Sequence, residues 1–413
     1  MKILLIFPLC PLPLNSGGQV RVWNIAKNLS KYHEIDLLCF IRNDSEKVHE
    51  EELKTVFGQV FFIKRTSLYG VSSLLSSGIS FLRFFIGNFK LLIRLLKSDK
   101  PLLSLLYESN ELRSKILKFD SEKQYDLFYA ETFYGISSLC NDLEKLNTKL
   151  LLVEQNIEYL SYARQSVLQK NPLIRKFMEM DIEKIKKIEK YFWSKTDLLG
   201  ALSLTDKNEI EGNVKRSVLL LENGVDIEFF SEQITTRVND EVLFVGSFKY
   251  FPNVDALKWL LDKIWLRIIE VNPSLNLLIV GRGADENLKK YVATKGFVID
   301  ETVDDIRTVF QRSTVLAAPL RAGSGTKYKV LESMVSKLPV VTTTIGMEGL
   351  GCIDGKHIFI ADNEEMFATA VLNVISSKRL RTEIASNGHE YVASNYGWNS
   401  IVKKFNDELM KVV

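Results

Sequence analysis

The sequence is poor in the residues that build disulfide frameworks and metal sites. Its four cysteines, Cys10, Cys39, Cys140 and Cys352, are far apart. That spacing excludes a zinc motif and a disulfide-stapled scaffold, and it suits a reducing, cytoplasmic compartment. The four histidines, His33, His49, His357 and His389, form no cluster either. Any metal would have to be held by carboxylates or by a substrate. An excess of one charge is also missing. The formal net charge of +3 is too small to imply a nucleic-acid partner. No uncharged apolar run reaches the roughly 18 residues of a membrane-spanning helix. The apolar start, Lys2 to Phe7, is followed by three prolines and Asn15-Ser16-Gly17-Gly18. With no small-residue cleavage site there, it reads as a buried strand and not as a signal peptide.

What is present suits a globular chain of two or three domains: 413 residues, 46% hydrophobic and 25% charged. Strand candidates recur at Lys2 to Phe7, Glu34 to Phe40, Val60 to Ile63, Asp126 to Ala130, Lys149 to Val153 and Asp197 to Ala201. Between the first two, Val20, Trp23, Ala26 and Leu29 make a helical stripe. The pattern restarts at Glu241 to Val245 and Asn276 to Val280. This predicts a doubly wound α/β architecture repeated in two domains.

One stretch carries most of the chemistry. Thr314 to Leu320 is an apolar run short enough for a buried strand. Arg321-Ala322-Gly323-Ser324-Gly325-Thr326 is a turn whose small residues let backbone N–H groups approach a ligand. Tyr328, Leu331, Val335 and Leu338 then recur at helical spacing, with Ser324 or Thr326 as N-cap, and Val340-Val341 opens another strand. Lys327 and Lys329 fall in the first helical turn, where the macrodipole disfavours cations. A phosphate bound there reverses the penalty. Glu332, one turn on, interrupts the apolar pattern; its carboxylate has the paired acceptors that a sugar diol requires.

This stretch resembles the retaining glycosyltransferases of family four, which have the GT-B fold. Their signature is two glutamates separated by seven residues. Glu332-Ser333-Met334 fits the second half, while Ser324 stands at the first glutamate's position. Gly323 to Lys329 is similar to a Gly-Ser-Gly-Thr-basic-x-Lys variant of the family. Leu220 to Asp226 resembles the Asn-Gly-Val-Asp element that leads into the second domain. The order Gly246, Gly281, Gly296, Gly325, Gly346 follows the family's donor domain. The resemblance implies two Rossmann-like domains facing across a cleft: an acceptor domain over 1–216, a donor domain over 217–395, and a C-terminal helix within 396–413 crossing back to the first.

It also implies roles. A nucleotide-sugar is the donor substrate, no separate cofactor is required, and no bound metal is expected because protein cations neutralise the diphosphate. Lys327, with the N–H groups of Gly325 and Thr326, stabilises the departing diphosphate, and Lys249 is the second choice. Glu332 binds the ribose. Ser324, Lys329, Gly246 and Arg282 line the donor site, and the backbone at Phe297 and Val298 faces the base. Gly17 and Gly18 either touch the donor phosphates or the acceptor, or form a plain turn. Glu131, Asn156 and Glu158, at strand ends, either contact a glycan or lipid-linked acceptor or cap loops; Gln155 replaces the family's His. A non-catalytic nucleotide-sugar-binding protein and a sugar-nucleotide epimerase remain alternatives.

The stretch 68–97 stands apart. It is dense in Phe and Leu, and Arg83, Lys90, Arg94 and Lys97 would share one helix face. Such a helix either lies on the anionic inner face of a membrane or packs in the first domain.

Overall fold

The computed structural model describes residues 1–14, 16–65, 98–169, 171–235, 240–323 and 327–413. The stretch 68–97 and residues Ser324, Gly325 and Thr326 lie outside the described residues. The chain forms two compact units. One holds the described residues through Asn223 together with Trp398–Val413; the other holds Gly224–Gly397.

The first unit is built on a seven-stranded parallel sheet. Its strands are β1 (Lys2–Phe7), β2 (Glu34–Ile41), β3 (Val60–Lys64), β4 (Leu127–Glu131), β5 (Lys149–Glu154), β6 (Leu198–Ala201) and β7 (Leu219–Leu220), in the order β3-β2-β1-β4-β5-β6-β7. In register, Leu5 of β1 lies between Leu37 of β2 and Tyr129 of β4. Continuous apolar sequence makes β1 a central strand, because both faces of a parallel sheet are covered by helices. Ile3, Leu4, Leu5 and Ile6 are fully buried, each contributing roughly 1.5–3 kcal/mol. β7 still pairs with β6, so the first sheet runs past the boundary read at residue 216.

Three helices of this unit bear on the site: α1 (Gly17–Leu29), α2 (Glu158–Leu168) and α3 (Pro172–Lys195). The buried face of α1 is Arg21, Val22, Ile25, Ala26, Asn28 and Leu29, so the expected stripe through Val20 and Trp23 is displaced. Arg21 takes an inward position because a buried carboxylate pairs with it, which apolar periodicity does not register.

The second unit has a six-stranded parallel sheet: β8 (Glu241–Val245), β9 (Asn276–Val280), β10 (Ile299–Asp300), β11 (Val315–Ala318), β12 (Val340–Thr342) and β13 (Phe359–Ile360), in the order β10-β9-β8-β11-β12-β13. Helix α4 (Phe251–Trp259) follows β8, and α5 (Tyr328–Val335) joins β11 to β12. The last helix, α6 (Trp398–Leu409), belongs to the first unit. There Asn406 meets the His33 ring at 2.6 Å, and Lys31 donates to Asn399. Among the described residues, no helix is long and apolar enough to cross a membrane.

Each sheet reverses its winding beside its first strand. β1 lies between β2 and β4, and β8 lies between β9 and β11. In open α/β sheets, ligands bind outside the carboxyl ends of strands at such a switch point. The loops after β1 and β4, and those after β8 and β11, occupy these places.

Candidate functional site

In the second unit, the turns after β8 and β9 fit closely together. Gly246 donates its N–H to Val280 O at 3.1 Å, and Phe248 donates to Arg282 O at 2.9 Å. A side chain on Gly281 would place its Cβ 1.9 Å from Gly246 O, so only glycine fits there. Lys249 is exposed, with its stem against Gly283. Arg282 is also exposed and donates to Val303 O at 3.3 Å.

The chain after β11 is fastened to α4. Arg321 forms two hydrogen bonds with Asp255, at 2.7 and 3.0 Å, and lies over the Trp259 ring. Gly323 has φ +101°, in the left-handed region, and its backbone passes beside the Tyr250 hydroxyl. Lys327 is the N-cap residue of α5, and its own side chain makes no capping hydrogen bond. The helix therefore begins later than a cap at Ser324 or Thr326 implies.

Lys329 turns inward. Its Nζ donates to Asn253 Oδ1 at 2.7 Å and lies over the Phe244 ring, 5.5 Å from the centroid. Asn253 in turn donates from Nδ2 to Ser247 O at 2.9 Å, and its side chain fills the place a Gly246 side chain would take. Lys329 and Glu332 are both half-buried. Burial lowers the Lys329 amine to about 7; the neighbouring Lys327 adds to that, and Glu332 opposes it. Burial raises the Glu332 carboxyl to about 7, against the pull of Lys329. A cation and an acid, both held near their ionisation points, thus stand one turn apart at the carboxyl end of β11. An anion supplied from outside favours the charged lysine.

Phe297 and Val298 are placed differently from the expectation. Both precede β10, at its amino end, whereas the glycine turns follow the carboxyl ends of β8 and β9. The Phe297 ring packs on Trp265 at 6.0 Å, and Val298 is 82% exposed. The segment after β10 reaches the carboxyl-end rim instead: Glu301 accepts the N–H of Gly283 at 3.1 Å. In a parallel sheet, the residues after a strand reach the ligand-binding end, and Phe297 and Val298 come before it.

In the first unit, Ser16 caps α1, and Gly17 and Gly18 open it. A Cβ on Gly18 would lie 2.6 Å from Gln155 Oε1. Gln155 also donates to Glu131 Oε2 at 3.0 Å. Glu131 is fully buried, paired with Arg21 at 3.3 Å and accepting from the Tyr129 hydroxyl. Glu131 shows no exposed surface, so the structure places it in an internal network with Arg21, Tyr129 and Gln155.

Asn156 and Glu158 stay together at the carboxyl end of β5. Asn156 hydrogen-bonds the Glu158 carboxyl, which burial nevertheless pushes up to about 7. The N–H groups of Glu158 and Tyr159 donate to Glu189 of α3 at 2.7 and 3.0 Å, so a carboxylate from another helix caps α2. Nearby, buried Glu154 is pushed up to about 8, mainly by burial, although Trp193 and the Phe133 N–H donate to it.

Sequence reasoning missed Asn253, Asp255, Arg21 and Glu189. The available signal was polar residues at inward helical positions, whose partners are distant in sequence.

Residues 239–377 match the family model described as Glycosyl transferases group 1. Over 96% of each chain, the sequence is 25% identical to a 44.6 kDa protein of the cps region of Klebsiella pneumoniae. In structure it is similar to a sucrose-phosphate synthase from Thermosynechococcus elongatus, with a TM-score of 0.69 and 13% identity over 100% of this chain and 99% of that one. It is also similar to Anabaena HepE, solved with UDP and glucose, with a TM-score of 0.67 and 14% identity over 99% of each chain. The chain has the GT-B fold.

Proposed function

We propose that this GT-B protein is a glycosyltransferase that moves a sugar, of hexose type, from a nucleotide-sugar to a glycan or lipid-linked acceptor. The observation that carries the reading is the inward Lys329 in the first turn of α5, its Nζ 2.7 Å from Asn253 Oδ1, with Glu332 one turn on in the same helix. Breaking a glycosidic bond to a nucleoside diphosphate builds negative charge on the leaving group, and fixed cations and N–H donors stabilise that charge. Lys329 binds the diphosphate, and Lys327 meets the charge that grows as the bond breaks. With two lysines doing this, the reaction is metal-independent. Glu332 accepts hydrogen bonds from the ribose hydroxyls. Asn156 and Glu158 serve the acceptor side. The family match over 239–377 supports the transferase reading, and HepE, solved with UDP and glucose, supports a nucleotide-sugar donor. Retention of anomeric configuration goes with the same reading.

The setting is assembly of a surface polysaccharide: capsule, exopolysaccharide or lipopolysaccharide. Similarity to a protein of a cps region supports it. The basic and apolar sequence of 68–97 supports work on an anionic cytoplasmic membrane surface, where lipid-linked acceptors are held.

The test is product analysis with a panel of labelled nucleotide-sugars, with and without membrane extracts carrying lipid-linked glycans. A transferase releases nucleoside diphosphate and labels the acceptor only when both substrates are present. An epimer formed from donor alone, or binding without any product, contradicts the proposal.

A further inference from the structure

The donor site proposed above rests on Lys329, and the structure shows what holds that lysine. Its Nζ has Asn253 Oδ1 at 2.7 Å. The same amide donates to Ser247 O at 2.9 Å and fills the space beside Gly246. One side chain thereby connects the β8 turn to the first turn of α5. Two residues on, Asp255 holds Arg321. Helix α4 thus anchors the segment between β11 and α5 on both sides.

We propose that Asn253 is a positioning residue for the donor diphosphate, holding the Lys329 amine in place beside the Gly246 turn. This rests on the transferase reading and names a residue that the reading does not require. Four surroundings act on the amine. Lys327 and Glu332 lie on its own helix, the Phe244 ring lies under it from β8, and the Asn253 carbonyl faces it from α4. An acceptor at hydrogen-bond distance favours the ammonium over the amine. Asn253 therefore opposes the loss of charge that burial imposes on Lys329, and it does so before any ligand arrives.

Two variants separate position from packing. Asn253→Asp keeps the shape and adds a charge; Asn253→Ala removes the contact. The first readout uses ligand-free protein: the rate at which dinitrofluorobenzene labels Lys329, followed against pH by peptide mass spectrometry. Relative to wild type, Asn253→Asp should move the labelling midpoint up by about one unit or more, and Asn253→Ala should move it down. The second readout is calorimetric binding of UDP, GDP and ADP at about pH 6, where the ligand-free wild-type lysine is mostly charged and both variants should weaken the best nucleotide by roughly tenfold. The Asp does so by setting a negative charge beside the lysine that offsets its charge toward the diphosphate, and the Ala by leaving it less charged and unplaced. Unchanged labelling midpoints in both variants overturn the proposal, whatever the nucleotides do. Shifted midpoints with unchanged binding of a nucleotide also overturn it, since the contact would then be structural only. If wild type binds none of the three, the transferase reading fails, and the labelling curves still report whether Asn253 governs Lys329. Because Asn253→Asp is isosteric, the test survives poor folding of Asn253→Ala.

Discussion

Arg21 and Glu131 form an ion pair inside the first unit, Nε to Oε2 3.3 Å, with 1% and 0% of their side chains exposed. Arg21 also donates to Asn223 Oδ1 at 2.9 Å, so the pair ties α1 and β4 to the end of the first unit's chain. Removing one partner of a buried pair leaves a stranded charge and costs about 3–5 kcal/mol. We therefore expect Glu131→Gln to lower stability to denaturant by about that amount. The double change Arg21→Leu/Glu131→Leu should recover much of the loss. A Glu131→Gln protein of wild-type stability with a raised acceptor Michaelis constant would return Glu131 to the acceptor site.

Glu332 and Lys329 give the second unit a pH signature. Glu332 rises from its ordinary 4.5 to about 7, so the folded state holds a proton that the unfolded chain has released. Its contribution to stability is present below about pH 4.5 and is lost as pH rises to about 7. Lys329 falls from 10.5 to about 7, so its contribution is present above about 10.5 and is lost as pH falls to about 7. Their sum is greatest near neutrality, where both penalties are close to full at once. Glu332→Gln should thus gain thermal stability relative to wild type between about pH 5 and about pH 7.5. A pH-independent difference in melting temperature would show that Glu332 does not titrate in this way.

Lys327 lies at the start of α5 beside Lys329. A group that meets charge developing in the transition state affects turnover more than ground-state binding. Lys327→Ala should lower kcat by roughly tenfold or more while leaving donor affinity within about threefold. A raised Michaelis constant with normal turnover would assign Lys327 to binding instead.

Arg83, Lys90, Arg94 and Lys97 should draw the protein to anionic vesicles. Each cation near such a surface adds about 1 kcal/mol, and salt screens the attraction. Sedimentation with anionic and neutral vesicles, using wild type and a variant with all four changed to Gln, checks this. Equal pelleting of both proteins on both vesicle types would sink it.

Much of the fold was legible in sequence. Unbroken apolar runs such as Ile3 to Phe7 mark parallel strands, and the Gly246 and Gly281 turns mark their carboxyl ends. Lys329 and Glu332 stand out as candidates as well, because each charge breaks a local pattern. What stayed hidden depends on long-range pairing. Asn253 meets Lys329 across 76 residues, Glu131 meets Arg21 across 110, and Glu189 caps Glu158 across 31. Local periodicity carries no information about such partners. Phe297 was misplaced for a simpler reason: β10 spans only Ile299–Asp300, too few residues to tell its two ends apart by pattern.

The most direct test of the account is a thermal-shift titration of wild type and Glu332→Gln against a panel of nucleotide-sugars, since a ligand that binds only the folded state raises its melting temperature. At least one donor should raise the wild-type melting temperature. Glu332→Gln should need roughly ten- to a hundredfold more of it for the same rise, as expected from losing a charged hydrogen bond of about 1.5–3 kcal/mol. If no nucleotide-sugar shifts wild type, or if the variant responds identically, the donor site is not where the account puts it.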